Sequence, residues 1–278
     1  MKKDLKRLIA NKKELIRLKK AEMKKADNVS CSGFAIKSET ISKNADTESE
    51  LYRTIVGNTY NFMDSHDDVH IPGIFTKSIK ENSRNVLHLH DHVHQLDAQV
   101  GKALDIYEKE VSWSEVGLET EGKTTALLMD SRIEKKRNPN IFEDYKSGLI
   151  NQHSVGMQYV KIELAVNDSE EKEEFAVWNR YKDQIINLDK AEEQGYFWAV
   201  TEAKLIEISC VIKASNELTP TLPTKSVEDL AEELKAKYSE NDLLLLTKAL
   251  KDNEPESPLE TQEPHQDQLR EFLIQKLK

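Results

Sequence analysis

Four histidines alternate in one short run, His88-Leu89-His90-Asp91-His92-Val93-His94. On a strand these four imidazoles share one face. Such a face has three readings. Converging imidazoles can hold zinc or iron, but a ligand set needs a distant third or fourth partner, and no HExxH or facial-triad spacing supplies one. One histidine at a strand end can act as a general base. The third reading is a polar, solvated strand face. A second stretch, Asn151-Gln152-His153-Ser154-Val155-Gly156-Met157, carries a serine where a helix gives way to a strand. The small Gly156 would let a substrate backbone approach it closely. It is not the GxSxG elbow of α/β-hydrolases, because Gln152 stands at the first glycine position and the order is helix to strand. A third stretch, Leu205-Ile206-Glu207-Ile208-Ser209-Cys210-Val211-Ile212, has period two. Ile206, Ile208, Cys210 and Ile212 form its apolar face, with Glu207, Ser209 and Val211 on the wet one. If that wet face lines a site, Glu207 can orient an imidazole and stabilise its cation, as the third member of a catalytic triad does.

These residues need strands to hold them. Apolar or alternating runs predict strands at 32–36, 86–89, 99–104, 154–164 and 205–212. Residues 139–150 predict a helix, with Asn138 before Pro139 at its start. The charged segment 167–195 reads as a helical insertion between two strands. No 20–50-residue repeat is visible.

Charge divides the chain into three zones. Residues 1–26 carry eleven Lys/Arg against three Asp/Glu, and residues 225–278 carry eight against thirteen. The first zone, 1–27, reads as a basic helical arm, either solvated or docked on an acidic partner. Residues 28–224 form the central domain. Residues 225–278 form an acidic helical or disordered tail, marked off by Pro220 and Pro223. With 40 Lys+Arg against 50 Asp+Glu, the net charge of −10 argues against nucleic acid as a partner. No run is long enough to span a membrane, and the basic start lacks a signal peptide's apolar core. Cys31 and Cys210 make neither a disulfide scaffold nor a zinc ribbon.

Taken in order, the blocks resemble the tailed-phage prohead (procapsid maturation) serine protease family, which is similar in fold to the herpesvirus assemblins. The matching stretches are Cys31–Ile36 as an opening strand, and Asp64–Phe75 with Pro72-Gly73-Ile74-Phe75 leading into a helix. Leu89-His90-Asp91-His92 follows, with Val100-Gly101-Lys102 and then Gly117-Leu118 as a short strand. The nucleophile block is Ser147-Gly148 with His153-Ser154-Val155-Gly156-Met157. The closing block is Leu205-Ile206-Glu207-Ile208-Ser209 with Ala214-Ser215-Asn216. The resemblance spans roughly 30–220, and its specificity lies in the order of short blocks.

The resemblance implies an α+β fold, a mainly β barrel-like core with surrounding helices, plus helical N- and C-terminal extensions. It implies a serine endopeptidase with Ser154 as nucleophile, His92 as general base and Glu207 orienting His92; His90 and His94 are the alternatives for the base. It implies no cofactor and no metal. The implied substrates are the major capsid protein, scaffold segments and the chain's own tails. The implied setting is the procapsid in the host cytoplasm, with the enzyme as a homodimer and with no nucleic acid or membrane partner. An inactive scaffold or assembly protein of the same fold is the alternative.

Overall fold

Runs rich in β-branched and aromatic residues become strands where neighbours can cover them. The structure, a computed structural model, describes residues 2–21 and 46–223. In chain order these form α1 (Lys2–Ala10), α2 (Lys12–Ala21), β1 (Glu50–Thr59), β2 (Asp68–His70), α3 (Thr76–Asn82), β3 (Leu87–His90) and β4 (Gln99–Ser112). Then follow β5 (Lys123–Glu134), α4 (Pro139–Ser147), β6 (His153–Val166), α5 (Lys172–Tyr181), α6 (Leu188–Gln194) and β7 (Tyr196–Cys210).

All seven strands join one sheet in the order β1-β5-β4-β3-β7-β2, with β6 on the other edge of β7. The β1–β5, β5–β4, β4–β3 and β6–β7 pairs are antiparallel, whereas β2 and β3 run parallel to β7. Strand β7 is therefore the hub. Its first half takes β2, its second half takes β3, and β6 follows its whole length. Among the described residues the ladder does not close on itself. The barrel-like core is thus corrected to an open mixed sheet with helices, within the expected α+β class.

The main core includes Leu51, Ile55, Phe75, Leu127, Met129, Trp198 and Ile208. A second core forms where α5 and α6 cover the far end of the β6–β7 pair. There Trp178 meets Phe197 at 5.2 Å between ring centroids. These two helices are the charged insertion read from 167–195. Their polar faces are solvated, and Val177 and Trp178 are buried.

Helix α4 starts as its sequence dictates. The Asn138 side chain accepts a hydrogen bond from the Ile141 N–H at 3.2 Å, and Pro139 takes the first turn, where no N–H is needed. Gly148 ends it with φ at +78°, a left-handed value that glycine adopts without strain.

The basic arm lies on the domain itself. Leu5, Leu8, Ile9, Leu15 and Ile16 pack against the main core. Lys12 reaches Glu174 at 2.5 Å, and Lys19 reaches the buried Asp68 at 2.6 Å. The acidic groups that the arm meets are this chain's own.

Several expectations change. The Gly117-Leu118 stretch is not a strand; Gly117, at φ +95°, caps a short 3-10 turn. Ile212 lies beyond the end of β7 and is exposed, so it does not extend the apolar face. The strand read at 32–36, Cys31 and the tail 225–278 lie outside the described residues.

Candidate functional site

The histidine run does not stay a strand. β3 ends at His90, and Asp91 and His92 follow with φ of +50° and +57°. The Val93 N–H bonds back to the His90 carbonyl at 3.1 Å. Two successive left-handed residues closed by that bond make a type I′ turn. Asp and His tolerate this region better than most side chains. The turn breaks the alternation, so the four imidazoles do not share a face. His88 is buried in the core, His94 is exposed, and His90 lies 3.8 Å from Asp91.

The turn aims His92 at β7. Its Nδ1–H donates to Glu207 Oε1 at 2.6 Å. The Ser209 hydroxyl donates to the other oxygen, Oε2, at 2.6 Å, and the His92 backbone N–H donates to Ser209 Oγ at 3.1 Å. Glu207 is 1% exposed and the His92 side chain 41%, so a buried carboxylate holds a half-exposed ring. The bond to Glu207 raises the His92 pKa above its ordinary value, against burial, which lowers it. With Nδ1 carrying the proton, Nε2 offers its lone pair as a base.

Sheet geometry explains how a carboxylate fits here. Glu207 lies between Gly156 of β6 and Leu87 of β3. A side-chain carbon on Gly156 would lie 2.7 Å from Glu207 Cδ, and closer still to Oε1. Gly156 is therefore small because Glu207 lies across it, which replaces the expectation that its size admits substrate. The β6–β7 register shifts directly after this pair, where Met157 faces Leu205 and Ile206 is the extra residue. Such a bulge bends a strand and re-aims its side chains. The face expected to be wet is dry, with Glu207 and Ser209 fully buried.

Ser154 sits in register with Ser209. Directly opposed residues of an antiparallel pair project to the same face, with Cα atoms about 4.5–5.5 Å apart. The serine thus stands on the face that carries Glu207. Its hydroxyl makes no hydrogen bond to any described residue, His92 included. The structure joins His92 to Glu207 directly and brings Ser154 alongside through Ser209. Sequence reasoning assigned no role to Ser209. The available signal was its spacing, two residues from Glu207 on the same strand face.

Other groups fit chemistry less well. Burial pushes the Cys210 thiol up to about 11, so it is protonated and inert at neutral pH. Asp64, His66 and Asp68 could converge on a cation. Both Asp68 oxygens are already taken, one by Lys19 and one by the Tyr159 hydroxyl at 2.7 Å. That group lies beside Trp198, nine residues before Glu207 on β7, about 30 Å along the strand.

Fold and site together define a class: an α+β protein with a mixed sheet that presents a carboxylate-oriented histidine and a serine at the ends of the two strands flanking β7. Comparison with known proteins goes no further, since no family model, no curated protein and no solved structure matches the chain. Among the described residues no helix is long and apolar enough to cross a membrane.

Proposed function

We propose that this chain is a serine endopeptidase of the prohead-protease kind, with Ser154 as nucleophile, His92 as general base and Glu207 as the residue that orients the base. The observation that carries the reading is the His92–Glu207 bond at 2.6 Å, which leaves Nε2 as the basic nitrogen, while Glu207's own strand β7 pairs with the strand bearing Ser154. Catalysis requires Ser154 Oγ and His92 Nε2 to close to about 2.6–3.2 Å on the substrate. Imidazole then removes the hydroxyl proton as oxygen attacks the scissile carbonyl. The imidazolium returns that proton to the leaving amine, and water repeats the cycle on the acyl-enzyme. Glu207 stabilises the imidazolium, and Ser209 keeps Glu207 in place.

The proposed substrates are capsid-protein and scaffold segments and the chain's own tails, cut inside a procapsid by a homodimer. A kinship with the assemblin fold belongs to this proposal too; the open mixed sheet is compatible with the family and does not select it. The alternative, an inactive assembly protein of the same fold, draws support from the Ser154 hydroxyl, which bonds to none of the described residues. The test is intact-mass analysis of wild type beside Ser154→Ala, each alone and co-expressed with a candidate capsid protein. Specific truncation in wild type and intact chains in the variant are expected. Identical truncation in both would refute Ser154 as nucleophile, and intact chains under every condition would favour the inactive alternative.

A further inference from the structure

Behind the site, on the buried side of the sheet, lies a hydrogen-bonded chain that the proposed chemistry does not use. Ser131 Oγ of β5 meets His88 Nδ1 at 2.7 Å, and His88 Nε2 meets the Tyr145 hydroxyl at 3.0 Å. That hydroxyl meets His153 Nε2 at 3.0 Å, and His153 Nδ1 meets the Thr219 carbonyl at 2.9 Å. At the other end Ser131 Oγ also lies 3.2 Å from the Lys102 carbonyl. Both histidines and Ser131 are fully buried, and Tyr145 nearly so.

The direction of this chain follows from counting protons. Two neutral imidazoles and two hydroxyls bring one proton each, four in all, to the five contacts just named; the protonated Cys210 thiol, which also bonds the Tyr145 hydroxyl, brings its own. Both ends are carbonyls, which only accept. One contact must therefore lack a proton, unless the chain takes up a fifth and carries a charge. Burial opposes that charge and lowers His88 to about 3 and His153 to about 4. Assigning the Ser131 proton to its shorter contact, His88 at 2.7 Å, leaves the 3.2 Å contact to the Lys102 carbonyl without one. His153 then donates from Nδ1 to Thr219 and accepts from Tyr145 at Nε2. Tyr145 accepts from His88 Nε2–H, and His88 Nδ1 accepts from Ser131.

The location matters more than the bonds. β3, which leads to the base, and β6, which carries the nucleophile, are not neighbours; β7 lies between them. His88 is four residues from His92, and His153 is adjacent to Ser154. We propose that His88, Tyr145 and His153 form a positioning relay that passes beneath β7 and fixes the spacing between the base-bearing and nucleophile-bearing strands. The proposal rests on the protease reading for what is positioned. Glu207 and Ser209 link the strands on one face, and the relay links them on the other.

The test uses the full chain and Tyr145→Phe, which removes one oxygen and keeps the ring. Nitrogen-15 spectra of the wild type are expected to show His153 protonated at Nδ1 and His88 at Nε2. Labelling by a phosphonate serine probe, normalised to folded protein, is expected to fall at least about tenfold in the variant. The His92 titration, which reports the opposite face, should stay in place. A purely structural role would lower the folded fraction without changing labelling per folded molecule, and that result would overturn the proposal. The reverse tautomers would overturn it as well. If Tyr145→Phe does not fold, Ser131→Ala removes only the terminal donor and is expected to slow labelling by a few-fold; an unchanged rate there counts against the relay. If wild type and Ser154→Ala both fail to label, the protease reading falls and the positioning role with it. The tautomer spectrum still shows whether the chain runs as described.

Discussion

Replacing Gly156 with alanine tests the site without assuming any activity. The new methyl would lie 2.7 Å from Glu207 Cδ and 2.9 Å from Cγ. Carbon atoms in contact sit about 3.5–4.0 Å apart, so the carboxyl group must retreat by about 1 Å. Both hydrogen bonds on that carboxylate are 2.6 Å long, and a retreat of that size breaks or badly stretches them. A hydrogen bond to a charged group contributes about 1.5–3 kcal/mol. His92 is partly exposed, so its share falls at the low end. The expected loss is about 3–4 kcal/mol of unfolding free energy, read by urea denaturation. The His92 pKa, raised chiefly by the Glu207 bond, should fall back toward its ordinary value in a proton NMR titration. Any Ser154-dependent cleavage should drop by about 10²-fold, the usual cost of misplacing a catalytic group by 1 Å. An alanine variant as stable as wild type, with an unshifted His92 titration, would refute the claim that Gly156 makes room for the carboxylate.

Acid should destabilise the fold well before carboxylates titrate. His88 and His153 have folded pKa values of about 3 and about 4, below the ordinary 6.5, so the unfolded state binds more protons as pH falls from neutrality. At pH 5 each costs about 2 kcal/mol relative to neutral pH, and denaturant midpoints measured from pH 7 to 5 should fall accordingly. His70, lowered by burial, acts in the same direction. His92 acts oppositely: its contribution is full below the ordinary pKa and is lost as pH rises through its raised value. Lys19→Met should cost about 3 kcal/mol of stability, because Asp68 is buried and would lose its cation; a calorimetric midpoint unchanged from wild type would mean that the arm contributes nothing there.

The sequence was most legible where local chemistry decides structure. Asn138-Pro139 announced α4, and apolar β-branched runs announced β3, β6 and the end of β7. β5 escaped notice because Ala126 to Met129 are buried on both faces of a central strand, so no alternation marks them. β1 and the three-residue β2 gave no usable period either. The chemical residues were readable by type but not by environment. Four alternating histidines look alike in sequence. An Asp-His turn without the usual glycine ends their strand, so His88 becomes core, His90 lies by Asp91, His92 meets Glu207 and His94 faces solvent. Glu207 read as solvated because period two cannot reveal what covers a face. The cover comes from the turn that carries His92, a contact between residues 115 positions apart.

That separation governs when the site comes into being. Among the described residues β7 is the last strand made, yet β2, β3 and β6 all pair with it. A nascent chain that ends before β7 holds His92 and Ser154 but has no Glu207, and no strand lies between β3 and β6. Closing loops of this length is entropically slow, so the hub strand sets the folding rate and leaves its partners' edges unpaired until it arrives. Synthesis order thus acts as a timer: the histidine meets its carboxylate only after the ribosome has passed residue 210.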